Sequence, residues 1–210
     1  MGPASYVFRG RMFQRAITTT FLLLVINSAA MGAARNFRAG SPGEELKAAF
    51  TLLKANPNDR GAQKRYLKAF PQDYRGFMAL FGSGGSLADG YQCDYIFALS
   101  ALQDHHSDQV GRLLVQLSKD AEYQSDAPSC LQHVLASYGS RYTKAFAGFL
   151  HELSPKERDQ LITFLADIDT KVTSNLDYRR IIRNLKQLNE PELVKKFQQA
   201  QTDRARQQHG

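Results

Sequence analysis

The chain has 210 residues and a formal net charge of +7, with 43 % hydrophobic residues, two cysteines and no tryptophan. This composition excludes a collagenous or low-complexity chain, a disordered polyelectrolyte and a disulfide-dense miniprotein. The charge is uneven: residues 1–34 carry three arginines and no acid, 35–177 carry 16 basic and 17 acidic residues, and 178–210 carry 8 and 3.

Residues 1–34 have the layout of a secretory signal peptide. Arg9, Arg11 and Arg15 precede an apolar core over 16–26, and small residues follow up to Ala34. Such a core matches the roughly 7–15 residues of a signal segment and falls short of the ~20 that span a bilayer. Cleavage is expected after Ala34, with Gly32 and Ala34 at the small-residue positions; Ser28 and Ala30 offer a second site, and Met12 an alternative start. The rival is an uncleaved membrane anchor over 16–34, weakened by Thr18, Thr19, Thr20, Asn27 and Ser28. The mature chain then comprises a short linker over 35–43, a single all-α domain over 44–207 and a frayed tail over 208–210. The expected location is the periplasm or the extracellular space.

Beyond Ser41 the apolar residues recur at helical spacing, and no stretch alternates as a strand would. Ser41-Pro42-Gly43 followed by Glu44 and Glu45 opens a first helix, with Leu46, Ala49, Phe50 and Leu53 on one face. Asn56-Pro57-Asn58 ends it. A second helix runs to Ala69, where Phe70-Pro71 stops it, because proline lacks an N–H and disfavours helical geometry at the preceding residue. A third helix is predicted over 72–81, and Gly82 to Ser86 form a loop. The most apolar helix follows over 87–102. Asp104-His105-His106-Ser107 reads as a turn, with Ser107 capping the next helix. Ser125-Asp126-Ala127-Pro128 starts another, which Gly139 interrupts before a restart at Ser140. Ser154-Pro155-Lys156-Glu157 is the clearest start signal: an N-cap serine, proline at the first helical position and a capping-box glutamate. That helix should reach Val172, with two more over 177–188 and 190–207. The predicted fold is all-α, an array of about five helical hairpins beginning near residues 44, 72, 107, 140 and 177, either an irregular solenoid or a compact bundle.

Cys93 and Cys130 would pair in an oxidising compartment, closing a loop of about 37 residues. No cofactor motif is present. The Gly82–Gly84 stretch lacks the lysine ending of a phosphate loop, and Ser83 has no preceding strand to make a nucleophile elbow. His151-Glu152 fails the zinc-binding His-Glu-x-x-His pattern, so no metal site is expected. Paired acids at Glu44-Glu45 and at Asp167 with Asp169 do not converge on one substrate.

Tyr66, Phe70, Tyr74, Phe77 and Phe81, spaced 4, 4, 3 and 4 residues apart, form the densest constellation. They read as a core seam between helices, or as an aromatic docking patch beside the glycine loop that Tyr91 and Tyr95 would extend. With a leader and no convincing catalytic set, the expected function is non-enzymatic binding of another exported protein, of the inhibitor or immunity type. Nucleic acid is a poor partner for an exported chain, whereas the basic C-terminal helix could touch an anionic membrane. The alternatives are a small hydrolase using His105, His106, His133 or His151 with Asp104 or Glu152, and a membrane-associated scaffold. His209 lies in the polar tail.

Overall fold

A computed structural model describes residues 40–88, 92–122, 127–167 and 175–207. The leader with its cleavage sites and alternative start, Tyr91, the start signal at Ser125-Asp126, Asp169, Val172, His209 and the tail over 208–210 lie outside the described residues. Among the described residues there are nine helices and no strand: α1 Pro42–Ala55, α2 Arg60–Ala69, α3 Tyr74–Phe81, α4 Gln92–Ser118, α5 Ala127–Arg141, α6 Thr143–Glu152, α7 Pro155–Ala166, α8 Leu176–Gln187 and α9 Pro191–Gln207. The protein is all-α. These helices belong to one unit, Ala39–Gly210.

Local chemistry sets most of the helix starts. Ser41, Asp59, Asp73, Ser154 and Asn175 each cap a helix by accepting a backbone N–H from the first turn with the side-chain oxygen, satisfying a donor that would otherwise lack a partner. The capping box at α7 is complete: Ser154 Oγ accepts from the Glu157 N–H, and the Glu157 carboxylate accepts from the Ser154 N–H at 3.0 Å. Because Asp73 is the cap, α3 starts at Tyr74, two residues later than the start predicted after Pro71. Between α8 and α9, Asn189 takes a left-handed conformation with φ 57°, and the Glu190 N–H reaches back to Leu185 O at 3.0 Å, the bonding of a helix C-terminal motif.

The break expected at 104–107 is present as a kink: α4 comprises two helical stretches that meet at His106, whose φ of −136° and ψ of 36° lie outside helical geometry. One sequence expectation is corrected: Gly139 does not interrupt α5. A side chain there would meet Ile181 Cδ1 at 2.9 Å and the Phe146 ring at 3.0 Å, so packing of α6 and α8 against the bare backbone outweighs the ~1 kcal/mol that glycine costs inside a helix.

The core is built around α4 and α5, which pack on each other most extensively; α2, α3, α6 and α7 also touch α4, and α6, α7 and α8 touch α5. Gly111 on α4 lets Tyr138 of α5 approach so closely that an added Cβ would lie 2.1 Å from the tyrosine oxygen. Cys93 and Cys130 form a disulfide between the same two helices, with Cα atoms 5.6 Å apart, within the usual span of such bridges.

The aromatic series lies in this core. Tyr66, Phe70, Phe77, Phe81 and Tyr95 are all at most 5 % exposed, their rings in successive contact with each other and with Phe50. The Tyr66 hydroxyl donates to the Tyr95 carbonyl. An exposed aromatic docking patch is thereby overturned for these five residues, because burial of their rings stabilises the fold and leaves no face for a partner. Tyr74 alone is half-buried, donating to Glu122 O at 3.1 Å.

Candidate binding groove

A concavity of about 540 Å³ opens where α4 faces the α2–α3 connection on one side and α6 and the start of α7 on the other. One wall is a polar stripe of α4: Gln109, Arg112, Gln116 and Lys119, at spacings of 3, 4 and 3, share one helix face. The apolar lining comes from Leu67, Leu113, Phe149 and Leu153; Gln72 lies on the side of the α2–α3 connection, and Glu152 and Glu157 on that of α6 and α7.

Two ion pairs tie the walls together. Arg112 holds Glu152 in a two-pronged contact, Nη1 to Oε2 at 2.6 Å and Nη2 to Oε1 at 3.2 Å, and its guanidinium lies 4.6 Å above the Phe149 ring centre, a favourable cation–π position. The bond to Arg112 holds the Glu152 carboxyl below its ordinary value, and the same bond raises Arg112. Lys119 Nζ donates to Glu157 Oε1 at 2.7 Å. With Lys119 first and the Ser154 bonds next, Glu157 is pulled down to about 2. Both cations are thus neutralised, and the groove presents no net charge. What remains for a guest is an apolar lining and amides: Gln109 and Gln116 are exposed, while Gln72 Nε2 is engaged by Leu67 O and Phe70 O.

The hydrolase residues are committed elsewhere. Asp104 accepts from Arg141 at 2.7 Å and from Tyr142 at 2.9 Å, and these bonds, Tyr142 first, lower its carboxyl. Glu152 serves Arg112. His106 Nε2 meets Gln63 Oε1 at 3.1 Å, and burial followed by the nearby Lys64 charge depresses its basicity. His151 Nε2 meets Glu190 at 2.9 Å, while His105 and His133 are exposed. No described hydrogen bond joins any of these histidines to Asp104 or Glu152, and among the described residues no group of three or more His, Cys, Asp or Glu is placed to hold a metal ion. Ser83 is exposed in the turn after α3, where Gly84 has φ 80°.

Sequence reading missed the groove. Its signal was the Gln109–Arg112–Gln116–Lys119 stripe, indistinguishable in one dimension from an ordinary solvated face. Comparison with protein-family models, with curated proteins and with solved structures finds no match.

Proposed function

We propose that the protein is an exported, non-enzymatic helical domain that binds another protein in the periplasm or outside the cell, acting as an inhibitor or immunity-type partner, and that it receives an extended, uncharged, partly apolar segment in the α4–α6 groove. The groove carries this reading: its volume falls within the range of about 300–1,000 Å³ common to binding pockets, its ion pairs leave no charge to select an ionic ligand, and its glutamines can bond a peptide main chain. Export is supported by the leader pattern and by the Cys93–Cys130 bridge, since such bridges persist in oxidising compartments. No helix among the described residues is long and apolar enough to cross a membrane. The hairpin grouping is supported by packing of α1 on α2, α3 on α4, α4 on α5 and α8 on α9, while contacts of α7 with α9 and of α5 with α8 favour closure as a bundle.

The test compares capture by two forms of the exported full chain, wild type and the exposed-residue double substitution Gln109→Glu with Gln116→Glu. A partner retained by the wild type and lost from the variant supports the groove. Equal retention by both forms excludes the groove, and recovery of no exported protein by either form rejects the binding function.

A further inference from the structure

The basic segment 178–210 distributes its charge unequally. On α9, Lys196 pairs with Asp159, Arg204 with Asp167 and Arg206 with Asp203. Arg179, Arg180 and Arg183 on α8 are exposed, and among the described residues the one ion pair formed by these three is Arg180 with Asp177 at 3.8 Å. The inner face of α8 is fixed by Tyr178, Ile181, Ile182 and Leu185, all buried, so the arginines are held outward. Together with Leu176 they line a shallow concavity of about 320 Å³. Leu176 is 70 % exposed, far more than the other exposed large apolar residues among the described ones, Phe97 at 46 %, Leu188 at 39 % and Leu52 at 37 %.

We propose that this first half of α8 is a docking surface for an anionic phospholipid membrane. The expected membrane contact of the C-terminal region is thereby assigned to α8 and not to α9, where Lys195 is exposed but the other three basic residues are ion-paired. A free phosphate would use the guanidiniums and gain nothing from a leucine held in water. At a bilayer surface both kinds of side chain are satisfied: the leucine enters the boundary of the acyl chains while the arginines meet the lipid phosphates. Each basic residue near an anionic leaflet strengthens partitioning about fivefold. The proposal is independent of the protein-binding groove, which shares no residue with it.

The experiment measures co-sedimentation of the full chain with phosphatidylcholine vesicles and with vesicles that also contain phosphatidylglycerol, reading the gain from neutral to anionic lipid. Any contribution of the leader is common to all variants. Arg179→Gln with Arg183→Gln should lower the gain about 25-fold. Leu176→Ser should weaken vesicle binding while leaving binding of inorganic phosphate unchanged. All three positions are exposed, and thermal melts matching wild type verify folding. The proposal fails if anionic lipid brings no gain or if the arginine variant keeps it. It also fails if Leu176→Ser binds vesicles as wild type while inorganic phosphate competes, which would identify a free-anion site.

Discussion

At the scale of single residues, the contact of Gly111 with Tyr138 is the most sensitive point in the core. An alanine at 111 gains up to ~1 kcal/mol in helix propensity, but its Cβ would also lie 2.3 Å from Tyr138 Cζ and 2.7 Å from the Phe149 ring, and overpacking of this kind costs about 1–3 kcal/mol. Gly111→Ala should therefore destabilise by about 1–2 kcal/mol in urea denaturation. The Tyr138 hydroxyl is buried with no hydrogen-bond partner among the described residues, and burial, then the Asp108 charge, pushes it up to about 12. Tyr138→Phe removes that unpaired group and should raise stability by about 1 kcal/mol. Glu157 supplies a pH dependence. Its carboxyl falls from an ordinary 4.5 to about 2 on folding, so the stabilisation it gives is complete above about pH 4.5 and fades as the pH drops towards 2. Denaturation curves of wild type and Glu157→Gln should differ at neutral pH and converge in acid.

At the scale of elements, most caps and breaks were legible, the kink at His106 among them, while the unbroken run of α5 through Gly139 was not. Ser154, Pro155 and Glu157 encode a cap within four residues, because every partner is local, and the structure contains it. Ser154→Ala should cost about 1 kcal/mol, measured as a lower midpoint in denaturant. Gly139 was misread because what decides it comes from far along the chain: Ile181 fills the space beside it. Legibility of the groove failed for the same reason. Arg112 and Glu152 are 40 residues apart, and no pattern within a single helix announces that they will meet.

Across the whole molecule, the helical class was readable from apolar periodicity alone, and the pairing of two cysteines from their number and the inferred compartment. The arrangement of α4 and α5 as the centre was not, since it depends on surfaces that only the assembled fold brings together. The bridge closes a separation of 37 residues, which on the chain-entropy argument stabilises by about 3–4 kcal/mol. Cys93→Ala with Cys130→Ala should show that loss in denaturation, with helical circular dichroism retained at low temperature. If the leader is processed as proposed, N-terminal sequencing of the protein recovered from an exporting host should begin at Arg35.

The position of that bridge also bears on the order of events in the life of the chain. It fastens the two central helices, so oxidation acts on the part of the molecule against which α2, α3, α6, α7 and α8 all pack. A chain whose thiols stay reduced before translocation lacks this clasp and is easier to hold open and thread. If the chain is exported as proposed, oxidation after passage adds a fastening that the reducing compartment would not have supplied. The same two sulfur atoms would then act as a late-set clasp, closed only where the finished fold is needed.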